Sequence, residues 1–361
     1  MASDVTAIER LEDRPIPVDP AAIEDEFTRI WRETAGGYDE SSVRLRVMNL
    51  VGVGAGEDAL GRFESLMEVL PQRHPCRGIL ALVRPGLSRV SATISAHSWR
   101  SASGGRNVCS EEVLIFGPPA DDAAMPSLVL ALLVPELSVI CWRLGPEGDS
   151  AGVLEGILDA ADVLLFDSAQ DGDTAAAFRW ALRLGGDHGT EPRDLAWGRL
   201  TTWRELIAQS FDDDDGPNRL REIASIEIEG GGGRPGSEAL LLAGWIVSRL
   251  GLTPADVETG GRWLRATLYA QSRAVTLSVI VGEPNPPGLH SVRLRSGRST
   301  LLVEHHAASG HMHVREESPT GEMRAVEQIA DQEPPTIARM LDEGRDDVYL
   351  EALRDALALL G

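Results

Sequence analysis

The sequence predicts an α/β amino-terminal domain with a mixed sheet, followed by an α+β carboxy-terminal domain in which an antiparallel meander packs against helices. Three observations carry this expectation. Continuous apolar strands at 137–142 and 161–166 alternate with helical stretches, as in sheets buried on both faces. Short alternating segments from 262 to 327 are punctuated by Gly, Pro and Asn. Four aspartates at 212–215 repel one another and run into Gly216-Pro217, which breaks a helix. The expected organisation is an arm and helix at 1–40, an α/β domain at 41–211, an acidic linker at 212–222 and an α+β domain at 223–361. A chain of 361 residues suits two domains of roughly 100–200 residues each.

In order along the chain, 23–33 reads as a helix with Phe27, Ile30 and Trp31 on one side, and 43–53 as a β-branched, alternating strand. Residues 57–70 return to helical period through Leu60, Phe63, Met67 and Leu70, and Pro71 stops them. Strands follow at 79–83, 90–96 and 113–116, then a helix at 128–134, the two buried strands and a helix at 175–184. In 194–211, Thr202 and Glu205 have capping-box spacing ahead of a stripe of Trp203, Leu206 and Ile207. A strand at 223–228 precedes an apolar helix at 237–250 that ends on Gly251. After the meander, Leu350, Leu353, Leu357 and Leu360 share one face of a final helix at 347–360.

Composition excludes several functions. The chain is 43% apolar and 25% charged, an ordinary globular balance, and no apolar run approaches the ~20 residues that span a bilayer. All 34 basic residues are arginine, so Schiff-base, pyridoxal-anchoring and P-loop lysine chemistry is out of reach. A net charge of −22 opposes binding to nucleic acid or an anionic membrane. The start has neither a basic nor an apolar leader region, so a cytoplasmic location is expected. Three cysteines, Cys76, Cys109 and Cys141, make no disulfide framework and no zinc knuckle.

Each candidate site has two readings. Gly52-Val-Gly54-Ala-Gly56-Glu57 follows a strand and precedes a helix, but the dinucleotide fingerprint needs Gly where Glu57 or Ala59 stands. The P-loop pattern likewise finds Arg62-Phe63 in place of Lys-Ser/Thr, so a plain strand-to-helix turn is expected. From 69 to 110 there is no acidic residue, yet Arg73, Arg77, Arg84, Arg89, Arg100 and Arg106 lie there. They either dock an acidic ligand or partner, or pair with acids from elsewhere. His74-Pro-Cys76-Arg77 is a nucleophile candidate or a rigid turn. If 307–310 is a hairpin loop, Glu304, His306, His311 and His313 share a face and could hold a metal; otherwise they are solvated histidines. Asp167-Ser168 ends a buried strand, as a ligand site or a cap.

The motifs RVMNL (46–50), HPCRGI (74–79), CSEE (109–112), LLVPEL (132–137), ADVLLFDS (161–168) and DLAWGRLTTWREL (194–206) occur in an order that resembles the glucose-6-phosphate dehydrogenase assembly proteins, the OpcA family. RPGSE (234–238) before an apolar helix extends the resemblance more loosely into the second half. The resemblance implies a chain that is not itself an enzyme and needs no cofactor. It would promote assembly or activity of glucose-6-phosphate dehydrogenase at the entry to the oxidative pentose phosphate pathway, with NADP and sugar phosphate bound by the dehydrogenase. Position 76 is Cys where similar sequences tend to have Ser, and the second half has no cysteine for the redox control associated with some relatives. The expected docking surface is the six arginines with Trp197 and Trp203, since Arg and Trp are the usual interface anchors. The alternative is a phosphorylated small-molecule binder or a metal-dependent enzyme, using the arginine segment and the histidine hairpin.

Overall fold

The computed structural model describes residues 8–9, 16–35, 46–99, 108–119, 124–146, 148, 150–187, 189–270, 273–282, 287–297, 299–306, 308–317, 327–329 and 333–361. They divide into two compact units, Met1–Gln170 with Arg183–Arg193, and Asp171–Leu182 with Asp194–Gly361.

The first unit begins with β1 (Ile8–Glu9), β2 (Ile16–Val18), α1 (Ile23–Ala35), β3 (Met48–Ala55), α2 (Gly56–Val69), β4 (Cys76–Val83), β5 (Ser91–Trp99) and β6 (Val108–Gly117). There follow α3 (Ala124–Leu132), β7 (Ser138–Leu144), α4 (Ala151–Leu158) and β8 (Val163–Phe166), and then α5 (Thr174–Asp187) and β9 (Glu191–Asp194), which lie across the division. The mixed sheet runs β1-β5-β6-β4-β3-β7-β8-β9, with β2 on β5. β4 pairs parallel with β6 and β3, β3 with β7, and β7 with β8, whereas β5 joins β6 antiparallel.

Strands buried on both faces require helices on both faces, and the glycines show how close those helices come. A Cβ on Gly52 would meet Phe63 of α2 at 2.7 Å and one on Gly78 would meet Met67 at 2.7 Å, so α2 covers that side. On the other side, a Cβ on Gly117 would meet Met125 of α3 at 2.2 Å.

The second unit contains α6 (Leu195–Arg199), α7 (Thr201–Gln209), α8 (Gly216–Arg221), β10 (Ile223–Gly231), α9 (Ser237–Leu250), β11 (Thr253–Gly260), β12 (Trp263–Ala270) and β13 (Arg273–Val281). It continues through β14 (Gly288–Ser296), β15 (Ser299–His306), β16 (His311–Glu317), β17 (Glu327–Ile329), α10 (Glu333–Asp342) and α11 (Asp347–Ala358). Its eight-stranded sheet is ordered β11-β12-β13-β10-β14-β15-β16-β17. The expected meander is therefore interrupted. β10 sits in the middle, parallel to β13 and antiparallel to β14. Ile223, Ile226 and Ile228 are all buried, which suits a central strand, and α9 supplies part of the long crossover that a parallel pair demands. Gly251 takes the left-handed conformation, φ 59°, and closes α9 as expected. Behind α9 stands α11, so close that a Cβ on Gly244 would lie 2.1 Å from the Ala352 carbonyl oxygen.

Two expectations about the junction are corrected. The acidic stretch 212–222 is folded within the second unit. There the Arg219 guanidinium, stacked 5.2 Å from the Phe211 ring, bonds Asp213 and the Ser210 carbonyl and pairs with Glu316. One arginine thus offsets the aspartate repulsion that suggested a linker. The capping box at Thr202 is not formed: α7 starts two residues earlier, behind Leu200, which offers no side-chain cap, and the Thr201 hydroxyl donates to the Gly198 carbonyl at 2.9 Å.

Candidate functional site

In the first unit the sequence motifs converge at the amino-terminal ends of the parallel strands. Arg77, near the start of β4, is 3% exposed. Its Nε donates to Glu111 Oε2 at 2.8 Å, its Nη1 donates to the Leu132 carbonyl at 2.8 Å, and Glu24 of α1 pairs with it from the surface. Glu111, also buried, accepts from Trp31 Nε1 at 2.8 Å and pairs with Arg46. Opposite Arg77 on β3, Asn49 donates to the Val134 and Leu137 carbonyls and accepts from Val134 N at 2.8 Å. Four motifs, at 46–50, 74–79, 109–112 and 132–137, are thereby cross-linked through polar side chains.

Burial lowers the Arg77 pKa, but Glu111 and Glu24 outweigh it and hold the guanidinium above its ordinary value. Cys76 is different: burial, reinforced by the Glu112 charge, pushes its thiol up to about 12. A buried, protonated thiol is no nucleophile at neutral pH, so the catalytic reading of 74–77 falls.

Among the described residues, the arginines of the segment do not form a single surface. Arg77 is interior, Arg100 and Arg106 lie outside the described residues, and Arg73, Arg84 and Arg89 remain at least partly exposed. Arg73 precedes β4 and Arg84 follows it, so a strand of about eight residues, roughly 25 Å, separates them. Around Arg73 the rim is apolar: Val69 and Val47 are each 45% exposed, and Val47 N donates to the Pro75 carbonyl at 2.8 Å. At the other end, Leu87 is exposed between Arg84 and Arg89.

Trp197 and Trp203, expected as anchors, are 3% and 6% exposed within the second unit. Trp197 Nε1 donates to Asp346 Oδ2 at 2.7 Å, and the Arg204 guanidinium lies 3.5 Å from the Trp197 ring centroid. Burial pulls Arg204 down to about 10 against the attraction of Asp346 and Glu343. Arg199 Nε bonds Glu238 Oε1 at 2.6 Å, and Glu238 Oε2 accepts from Leu289 N at 3.2 Å. The motifs at 194–206 and 234–238 therefore fasten the second unit to itself.

The histidine hairpin has the expected register, His306 opposite His311 and Glu304 opposite His313. The His306 and His313 rings stack at 4.2 Å, and Glu304 pairs with Arg315 at 3.3 Å. Among the described residues, no group of three or more ligating side chains stands in a metal-holding arrangement. Asp167 caps the turn after β8, accepting from Ala169 N and Gln170 Nε2, each at 3.1 Å. Among the described residues, no helix is long and apolar enough to cross a membrane.

Comparison with known proteins gives a consistent assignment across most of the chain. Residues 68–182 match the family model described as glucose-6-phosphate dehydrogenase subunit N-terminal domain, and 190–353 match the corresponding C-terminal domain. A protein of Synechococcus elongatus named OxPP cycle protein OpcA is 31% identical over 200 residues, 54% of this chain and 44% of that protein. A protein of the same name from Nostoc punctiforme is 27% identical over 215 residues, 57% of this chain and 45% of that one. The chain thus spans less than half the length of these relatives. A solved oxidoreductase structure from Bacillus subtilis is similar at a TM-score of 0.49 and 10% identity, covering 88% of this chain and 95% of that one.

Proposed function

The chain belongs to the OpcA family of glucose-6-phosphate dehydrogenase subunits, and from that premise we propose that it is a non-catalytic assembly factor and allosteric activator of glucose-6-phosphate dehydrogenase. It works in the cytoplasm, at the entry to the oxidative pentose phosphate pathway. The observation that carries the reading is the match of both halves, in order, to the two domains of that subunit family. The side chains agree with it: the Cys76 thiol is buried and protonated, and Arg77, Glu111, Trp197 and Asp346 are engaged in internal bonds.

Activation follows from differential binding. A chain that binds one conformation or oligomer of the dehydrogenase more tightly shifts it toward that state, by no more than the difference in affinity. The exposed arginines supply the docking contacts. Arg73 with Val47 and Val69 offers an apolar rim carrying a positive charge, and Arg84, Leu87 and Arg89 offer a second such group.

The test mixes the purified chain with the dehydrogenase of the same cell and measures both co-migration and NADPH production. A complex with a raised rate supports the proposal; no complex and an unchanged rate remove it. In the complex, Arg73→Glu weakens binding by about tenfold, 1.4 kcal/mol, read from titration of the rate.

A further inference from the structure

Taken in chain order, the parallel strands β3, β4, β6, β7 and β8, with β9 beside β8, stand in the sheet as third, second, first, fourth, fifth and sixth. That is the order of dinucleotide-binding sheets, which place pyrophosphate on the turn after the first strand, at the point where the order reverses. Here that turn is 52–57, between β3 and α2, and two parts of its chemistry have separated.

The packing part is intact. A Cβ on Gly54 would lie 2.8 Å from the Ala59 Cβ and 2.8 Å from the Leu144 carbonyl oxygen, and Gly56 takes φ 79°, a conformation that favours glycine. The glycines therefore bring α2 down onto β3 and β7, as their counterparts do in cofactor-binding turns.

The charge part is inverted. The first turn of α2 carries Glu57 and Asp58, both exposed, where a helix amino terminus would otherwise attract a phosphate. Arg84, just past the second parallel strand, occupies the place from which such folds address the ribose or its 2′-phosphate. It is turned back on the turn itself: Arg84 Nη2 donates to Glu57 Oε1 at 2.8 Å, and its guanidinium lies 4.5 Å from the Phe116 ring centroid. The donor set fits neither NAD nor NADP.

We propose that the first unit is a dinucleotide-type fold whose phosphate position is occupied by its own Glu57 carboxylate, so that the chain brings no nicotinamide-nucleotide site to a complex. Exclusion is electrostatic, exerted by Glu57 and Asp58. Any NADP in the assembled pair belongs to the partner, and Arg84 is held in place by Glu57.

The test uses the full chain alone, so it is independent of whether the dehydrogenase binds. NADP+ and inorganic pyrophosphate are titrated separately by calorimetry into the unaltered chain and into the double variant Glu57→Gly, Asp58→Ser, with circular dichroism verifying the variant's fold. The unaltered chain shows no saturable heat, and the variant gains at least about tenfold in affinity for pyrophosphate, 1.4 kcal/mol. Stoichiometric NADP+ binding by the unaltered chain overturns the proposal. So does a folded variant that binds pyrophosphate no better than its parent, because closure would then not depend on the two carboxylates. Arg84→Ala, which leaves both carboxylates in place, gives no gain; an equal gain there would also overturn it.

Discussion

The two ends of the first parallel sheet are built on opposite principles. At the amino-terminal end, Arg77 and Glu111 are buried, bonded to each other and tied to α1 and α3. At the carboxy-terminal end, where open α/β sheets place their ligands, Arg84 and Glu57 are solvated and the glycines serve helix packing. An enzyme of this topology concentrates polar groups where substrate arrives. Here a buried polar network at the opposite end ties the strands to α1 and α3, and the usual ligand end carries the exposed Glu57–Arg84 pair.

The strongest way to break this comparison is to remove the charge on Glu111. Glu111→Gln leaves Arg77 buried without its main counter-charge and costs about 3–5 kcal/mol, measured as a fall in the urea midpoint. Replacing both partners, Arg77→Met with Glu111→Leu, costs less than the single change, because the buried Arg77 charge is removed along with its counter-charge and only the more exposed Arg46 and the Trp31 Nε1 donor lose Glu111; a double variant no more stable than the single would mean that the network acts through shape alone.

The thiols sharpen the contrast through pH. Burial pushes Cys76 and Cys141 from 9.0 up to about 12. The unfolded chain therefore releases their protons first, and stability is whole below pH 9 and declines as pH rises toward 12. In the native chain both thiols resist iodoacetamide at neutral pH; rapid labelling of Cys76 would mean that the amino-terminal end is open.

Gly54→Ala tests the packing role of the glycine turn, and overpacking against Ala59 and Leu144 costs about 1–3 kcal/mol, again read from the urea midpoint. Smallest of all, Arg84→Ala cuts an exposed ion pair and shifts stability by less than about 1 kcal/mol. A loss as large as that for Glu111→Gln would erase the distinction between the two ends.

Much of the fold was legible in the sequence. The helix at 237–250 had both its strongly apolar composition and its terminating Gly251, and the histidine hairpin kept the register its loop length implied. Other elements left no local mark. β11 has exposed or half-buried residues along its whole length, so alternation is absent, and α4 is only eight residues of mostly apolar side chains, too short for a period to emerge. The central place of β10 depends on pairing with β13, some fifty residues away, which no window of sequence contains.

The candidate site was less legible, for a related reason. Arg77, Trp197 and Trp203 are residue types that anchor interfaces, and composition alone assigns them outward. Their partners Glu111 and Asp346 are remote in the chain, 34 residues from Arg77 and 149 from Trp197 respectively. One hint existed: the acid-free run ends abruptly at Glu111-Glu112, inside a motif that resembled the family alongside the one containing Arg77.

The approach of α9 and α11 at Gly244 has a consequence for how the molecule tolerates change. With the Ala352 oxygen 2.1 Å from where a methyl would sit, no side chain of any kind can be housed there without prising the two helices apart. This crossing point therefore admits a single amino acid, and glycine there keeps the terminal helix in one seat.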